Sequence, residues 1–412
     1  MPRHFPPPEA SRPCWRPNCT WPGGGAFDGV VLDALTGATL WGSGEAEPVA
    51  PASNIKVLTA AAVMTHLPAD ARLRTSVLVS GDAVFLRGGG DVLLTAGESR
   101  NNDDGGVAGR AGLRTLAADT AAALAEGSGP YRVYLDETFF TGAALNPTWA
   151  AGDVAAGETA PVYSLAINSA WVDETGTGGP RFADAALAAA EIFSGELAAA
   201  AATRGIGIGG TVERASAPPE ATELAAAESA TIGEQVQRML HLSDNYLAEA
   251  LARVAASASG RPASFEGATE TLLATVQGLG VPVEGLSIGD TSGLSRQNAV
   301  TPAQLAGVLQ VLATSDDPAL AGVLQALPVA GLSGTLSERF TSAAGQAAAG
   351  EGKVRAKTGT LNAVTALSGY VVTAEGRLLT FSFVATGLDG NTREARAAAD
   401  NAATVLAVCG CR

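Results

Sequence analysis

The chain has 412 residues, 47% of them hydrophobic and 16% charged, enough to bury one large core or two to three smaller ones. Its formal net charge of −15 speaks against a nucleic-acid partner, because a phosphate backbone needs a basic face. No run of about 18 uninterrupted apolar residues occurs, so no transmembrane segment is expected, and no fixed period marks a repeat protein.

Residues 1–25 carry Pro2, Pro6, Pro7, Pro8, Pro13, Pro17 and Pro22 among scattered arginines and lack the apolar run of a signal peptide, so a disordered tail is expected. The four cysteines lie at the two ends, Cys14 and Cys19, then Cys409 and Cys411. Disulfides or free thiols fit that placement better than a zinc site, whose ligands stand on knuckles within a folded unit. Residues 29–33 and 38–41 around Thr36-Gly37 predict a hairpin. Pro51-Ala52 then leads into Ser53-Asn54-Ile55-Lys56 and a helix-favouring apolar run to Met64. A second hairpin is expected over 75–80 and 83–86, running into a loop that ends at Asp91, a turn residue.

Beyond the polar stretch 101–106, the pattern predicts a helix over 108–124, strands over 132–136 and 162–171, a surface loop at 146–149 between them, and a helix over 185–202. Gly205-Ile206-Gly207-Ile208-Gly209-Gly210 matches G-x-G-x-x-G but follows a helix and leads into an extended segment, the reverse of a dinucleotide loop. Helices over 232–242 and 246–255 are broken by Ser243-Asp244-Asn245. Further helices over 269–279 and 302–312 precede strands over 353–358, 364–373 and 377–385 and a closing helix over 394–408. Strands at both ends with helices between them suggest one sheet built from the two termini.

The chemistry starts from Ser53 and Lys56. Three residues apart on a helix, a hydroxyl and an amine share one face and can exchange a proton. At a helix N-terminus, free N–H groups also favour developing negative charge on the serine. S-x-x-K alone is a weak signal. Lysine, however, is rare here: Lys56, Lys353 and Lys357 are the only three among 26 lysines and arginines. A lysine kept where arginine would serve as a plain cation points to a group that must release its proton.

Other catalytic readings fail on inventory. His4, His66 and His241 are the only histidines, and none stands in a zinc-protease spacing or completes a serine triad; His66 and His241 read as packing or surface residues. Gly285-Leu286-Ser287-Ile288-Gly289 matches a nucleophile elbow, but no histidine follows it and turn residues replace the required helix. A serine–lysine centre further needs a second proton carrier and a cationic pocket for an anionic substrate end. Ser243-Asp244-Asn245 and Lys357-Thr358-Gly359 supply both.

In this order, S-x-x-K, S-D-N and K-T-G resemble the three signatures of the serine penicillin-recognising enzymes. The separation of 190 residues between Ser53 and Ser243 is unlike class A β-lactamases and resembles peptidase family S13, the penicillin-binding protein 4 type D-alanyl-D-alanine carboxypeptidase/endopeptidase. Residues 88–91, 136–140, 289–296, 334–339 and 367–370 agree with that resemblance, which covers roughly 27–408. It implies an α/β (α+β) fold of the serine β-lactamase/penicillin-binding transpeptidase type, an antiparallel sheet flanked by helices. A discontinuous catalytic domain, 26–68 and 225–412, would surround an inserted domain, 69–224, shorter than usual for the family, so that its nested third domain is reduced or absent.

The resemblance also implies roles. Ser53 attacks the carbonyl of the penultimate D-alanine, and Lys56, its pKa lowered by Lys357 and burial, takes the proton. Ser243 protonates the departing amine, and Asn245 steadies Lys56 and the substrate amide. Lys357 and Thr358 bind the terminal carboxylate, the N–H groups of Ser53 and Thr360 form the oxyanion hole, and Gly359 lets the strand approach the substrate. Arg339 and Asp153 are candidates for contact with a diaminopimelate side chain, or else ordinary surface charges. The implied partners are the peptidoglycan stem peptide and β-lactams, which should acylate Ser53 stably because no E-x-x-L-N candidate exists to speed deacylation. No metal or cofactor is implied, the expected location is extracytoplasmic, and the oligomeric state is left open. A cell-wall peptide-binding protein without turnover, on the same scaffold, is the alternative.

Overall fold

The computed structural model describes residues 24–100, 106–176 and 178–408. The expected tail up to residue 23, the four cysteines and most of the polar stretch at 101–106 lie outside the described residues. In chain order the elements are β1 (Ala26–Asp33), β2 (Thr39–Ser43), α1 (Lys56–His66), β3 (Arg72–Ser80), β4 (Ala83–Arg87), α2 (Leu113–Ala123), β5 (Arg132–Asp136), α3 (Ala151–Ala155), α4 (Ala185–Ala202), β6 (Glu213–Arg214) and β7 (Thr222–Thr231). There follow α5 (Ile232–Leu242), α6 (Asn245–Ala258), α7 (Phe265–Gly278), α8 (Pro302–Thr314), α9 (Pro318–Gln325), β8 (Val354–Leu361), β9 (Val364–Val372), β10 (Leu378–Thr386) and α10 (Thr392–Val408).

The termini meet in one antiparallel sheet of order β2-β1-β10-β9-β8, with β1 and β10 in register from Ala26 opposite Thr386 to Asp33 opposite Leu379. Strand alternation gives its two faces different chemistry. Leu379, Phe381 and Phe383 turn one way, into a core with Val354, Leu367, Ala403 and Leu406 under α10. Thr380 and Ser382 turn the other way, where Thr380 Oγ1 donates to Ala306 O of α8 at 3.2 Å and Ser382 Oγ meets Ser368 Oγ at 2.8 Å. Asn54 Nδ2 in turn donates to Ser368 Oγ at 3.2 Å, so small polar side chains let the sheet come close to the turn that carries Ser53.

Beside the sheet, α1 is the buried axis of the helical layer, with Val57, Leu58, Ala60 to Val63 and α5 to α9 in one core. A helix apolar all round is stable only when packed on every side. Capping boxes at Thr231/Glu234 for α5 and Thr301/Gln304 for α8 fix two of these helix starts, each cap worth about 1 kcal/mol.

A second sheet, β6-β5-β4-β3-β7, is built from residues between Arg72 and Thr231 and mixes antiparallel β4-β3-β7 with parallel β4-β5-β6. Val77, Val84, Leu86, Val133 and Leu135 meet α2 and α4 in a separate core. By length and composition α4 is apolar enough to cross a bilayer, yet Ala186, Phe193 and Leu197 are buried in that core.

Several expectations are corrected here. Residues 162–171 form no strand: their backbone bonds irregularly to 90–95, as in Leu94 N to Ala166 O at 3.1 Å and Ser169 N to Val92 O at 2.7 Å, and Asn168, Ser169 and Ala170 have positive φ. Residues 146–149 are no surface loop, since Asn146 is 3% and Trp149 7% exposed. The helix expected from 108 begins at Leu113, because Gly112 N donates to Ser99 Oγ and the Thr95–Gly112 bridge holds this segment extended. As expected, by contrast, neither glycine motif opens a helix: Gly205 to Gly210 extends the second sheet through a Tyr131–Ile208 bridge, and Ser287 bridges Ala299.

Candidate active site

Ser53 does not open a regular α-helix. It sits in a 3-10 turn, Ala52–Ile55, that runs into α1, and Ala52 enters that turn at φ +47°, an uncommon backbone for a residue with a side chain. Two glycines from distant segments close over the turn. A Cβ on Gly293 would lie 2.1 Å from Ala52 O, and one on Gly359 would lie 2.9 Å from Pro51 O and 3.2 Å from Ser53 N. Gly359 therefore lets β8 approach the serine turn itself.

The junction still puts the two side chains on one face. Lys56, fully buried, donates through Nζ to Ser53 Oγ at 3.1 Å, to Asn245 Oδ1 at 2.7 Å and to the backbone carbonyl of Ser292 at 2.5 Å. The last two acceptors can hold two N–H bonds of a neutral amine, leaving its lone pair directed at the serine hydroxyl. Burial pushes Lys56 down to about 8, against the opposing pull of Asp290, Asp244, Glu249 and Glu158.

The tripeptide between α5 and α6 divides three tasks. Ser243 ends α5 in the left-handed conformation, φ 57°. Asp244 caps α6, accepting from Leu247 N at 3.1 Å and from Ser169 Oγ at 2.5 Å. Asn245 receives Lys56 on its oxygen and donates Nδ2 to Glu158 O at 2.9 Å. Residues 158 and 169 thus hold the loop at Asn245 and Asp244.

Lys357, on β8 and also fully buried, donates to Ser243 Oγ at 2.9 Å and to Thr358 O at 2.7 Å. Its pKa is held well below the ordinary lysine value, first by burial, then by Lys56 and Arg339. The expected depression of Lys56 is present, but burial causes it, and the repulsion between the two amines falls on Lys357. Thr358 Oγ1 donates to Thr335 Oγ1 at 2.8 Å, and Thr360 is exposed, opposite Thr365 in the sheet.

Five predicted side chains thus gather in one cluster of two hydrogen-bonded groups, Ser53, Lys56 and Asn245 in one and Ser243 and Lys357 in the other, with Ser243 and Asn245 two residues apart and the two amines near enough to repel. Arg339 is paired through Nε and Nη2 with Asp400 of α10. Asp153 lies half-buried in the first turn of α3. Neither hydrogen-bonds to the cluster among the described residues. A cavity of about 270 Å³ abuts it, lined by Glu158, Arg181, Arg238, Ser243, Asp244 and Asn245 among others. Among the described residues no group of three or more His, Cys, Asp or Glu could hold a metal ion.

Sequence reasoning missed Ser292, Glu158, Asp290 and Glu249. The stretch 289–296 was part of the resemblance, but two of these contacts use backbone carbonyls, which any residue type supplies.

A serine and a buried lysine at the mouth of an all-antiparallel sheet, flanked by a helical layer, define the class of serine penicillin-recognising enzymes. The family profile of the D-Ala-D-Ala carboxypeptidase 3 (S13) family matches residues 22–180 and 179–407. The chain is 37% identical over 94% of its length to Carboxypeptidase DacB of Mycolicibacterium smegmatis, covering 81% of that protein. It is 36% identical over the same share to Carboxypeptidase Rv3627c of Mycobacterium tuberculosis, also covering 81%. Its fold matches the crystal structure of penicillin binding protein 4 from Haemophilus influenzae with a TM-score of 0.72 at 22% identity, covering 92% of this chain and 95% of that one. The chain belongs to the D-Ala-D-Ala carboxypeptidase 3 (S13) family and is a serine-type carboxypeptidase of that family.

Proposed function

We propose that the protein removes the terminal D-alanine from peptidoglycan stem peptides through an acyl-enzyme on Ser53. The observation that carries this reading is the three-way contact of Lys56 Nζ with Ser53 Oγ, Asn245 Oδ1 and Ser292 O. With two acceptors fixing its N–H bonds, neutral Lys56 takes the proton from Ser53 Oγ as that oxygen bonds to the carbonyl carbon of the penultimate D-alanine. The N–H groups of Ser53 and Thr360 receive the oxyanion, where one donor contributes about 10²–10³ in rate. When the C–N bond breaks, Ser243 hands a proton to the departing amine and is resupplied by Lys357, its neighbour at 2.9 Å. Lys56 then passes the Ser53 proton by way of solvent to Lys357, which had given its own to Ser243. Neutral again, Lys56 takes a proton from the water that attacks the acyl carbon and returns it to Ser53 Oγ as the ester bond breaks.

Lys357 and Thr358 take the terminal carboxylate. An anion beside Lys357 raises the pKa that burial and Lys56 depress, so substrate binding itself charges the lysine. Asp153 and Arg339 would act on the substrate's diaminopimelate side chain, Arg339 after partial release from Asp400. Residues 69–224 form the inserted domain and, through Glu158 and Ser169, orient the S-D-N loop.

β-Lactams, which mimic the scissile bond, acylate the same oxygen. One neighbour is described as a penicillin G acylated predatory endopeptidase of Bdellovibrio bacteriovorus, at a TM-score of 0.51, which supports cleavage of cross-links as a second activity. The substrate places the working protein outside the cytoplasm.

The test is release of D-alanine from a muropeptide pentapeptide, with cleavage of a cross-linked dimer assayed alongside. Release by the wild type and its loss in Ser53→Ala support the reading. A folded protein that acquires a penicillin adduct but releases nothing is a binding protein, and one that does neither contradicts the reading altogether.

A further inference from the structure

We propose that Asp290, together with Glu249, is the positioning element for Lys56: it folds residues 290–295 so that the Ser292 carbonyl accepts from the lysine, and it sets the charge around the base. The inference rests on the Ser53–Lys56 reading above and deepens it.

Asp290 is fully buried and is the hub of its loop. Its Oδ1 accepts from Gly293 N at 2.8 Å and Asn298 Nδ2 at 2.6 Å. Its Oδ2 accepts from Trp149 Nε1 at 2.8 Å, Ser292 Oγ at 3.1 Å, Leu294 N at 3.0 Å and Ser295 N at 2.7 Å. All six partners donate, which suits a carboxylate and no amide. Three backbone N–H groups from consecutive residues converge on one side chain, so the path of residues 290–295 follows from that charge.

The path has two consequences at the serine turn. Ser292 O faces Lys56 Nζ at 2.5 Å, and Gly293 packs on the backbone between Ala52 and Ser53. Thr291 ties the same loop to both neighbouring helices: its carbonyl accepts from Thr59 Oγ1 of α1 at 2.6 Å, and its N–H donates to Glu249 Oε1 of α6 at 2.9 Å.

Glu249 is fully buried too, and among the described residues its Oε2 has no hydrogen-bond partner; the nearby Ser292 hydroxyl is directed to Asp290. An unpaired buried carboxylate oxygen is costly, and a proton relieves it. In keeping with this geometry, burial and the neighbouring Asp290 push Glu249 up to about 7. The groups that bear on Lys56 are the carboxylates Asp290, Asp244, Glu249 and Glu158 and the amine of Lys357. Asp290 and Glu249 are the two of these carboxylates buried without contact to substrate space, which separates their role from that of the S-D-N loop.

The experiment measures the second-order rate of acylation by a fluorescent penicillin as a function of pH in wild type, Asp290→Asn and Glu249→Gln. Asp290→Asn removes negative charge near Lys56, and Glu249→Gln removes the charge that Glu249 carries above about 7, so through the acid limb near 8 the ammonium is less favoured and the limb moves to lower pH in both. Asp290→Asn also turns one acceptor into a donor facing N–H groups and lowers the limiting rate by about 10²-fold. Glu249→Gln keeps an acceptor for Thr291 N and shifts the limb with a smaller loss of rate. A merely structural role would lower the rate of either variant without moving the limb, and that outcome overturns the proposal. If Asp290→Asn does not fold, Glu249→Gln decides alone: an unmoved limb contradicts the assignment. A wild type that does not label defeats the serine–lysine reading itself, whereas a labelled wild type with coincident limbs defeats only this proposal.

Discussion

Lys56 and Lys357 occupy two equally buried pockets and differ in what surrounds them. Lys56 has three acceptors on its amine and four carboxylates near enough to oppose its loss of charge. Lys357 has two acceptors, and its charged neighbours are cations, Lys56 and Arg339, the latter already paired with Asp400. The first pocket fixes an amine in direction and lets it titrate at about 8, as the proposed base requires. The second gives its amine no carboxylate partner among the described residues, the arrangement expected where an anionic substrate end completes the site. Equal burial thus yields opposite tasks, and the companion groups decide which.

Substitutions at the two lysines should break this contrast in different ways. Lys56→Ala should reduce acylation of Ser53 by about 10³-fold or more at all pH values while leaving binding of a D-Ala-D-Ala peptide measurable by calorimetry, because general-base assistance is lost. Lys357→Ala should act mainly on peptides with a free terminal carboxylate, lowering kcat/KM by about 10²-fold. A peptide amidated at that end should discriminate little between the variant and the wild type. Equal losses for both peptides would remove the carboxylate role from Lys357.

Two smaller effects sharpen the comparison. A methyl group at position 359 meets Pro51 O at 2.9 Å and Ala52 Cβ at 3.0 Å, so Gly359→Ala should displace the serine turn. A loss of about tenfold in acylation and about 1–3 kcal/mol in stability is expected, read by labelling kinetics and urea unfolding. Arg339→Ala removes a cation that depresses Lys357, so Lys357 keeps its proton to higher pH and the alkaline limb of kcat/KM should move upward.

The pH sign for the base follows from its burial. Protonated Lys56 cannot accept from Ser53, so acylation should rise with pH through about 8.

The strands of the terminal sheet were legible because Val, Phe and Leu alternate with small or polar residues, as at 379–384. β7 was not, since Thr222–Thr231 is rich in alanine and glutamate, residues that favour helices and form a strand here only through pairing with β3. Residues 162–171 failed in the opposite sense, extended in pattern but held by a loop. At the site, Ser53, Lys56, Ser243, Asn245 and Lys357 were legible because the chemistry demands those side chains. Ser292 and Glu158 act through carbonyls and leave no mark in residue type. Asp290 and Trp149 find each other across 141 positions, a pairing that no local pattern announces.

On the serine–lysine reading, Ser53 carries the acylated oxygen and Lys56 is its base. Mass mapping of the adduct formed with benzylpenicillin across a pH series tests it most directly. One acyl group is expected, on Ser53, formed faster as pH rises through about 8, and none on Ser53→Ala. An adduct on another residue, or undiminished labelling of Ser53→Ala, would contradict it.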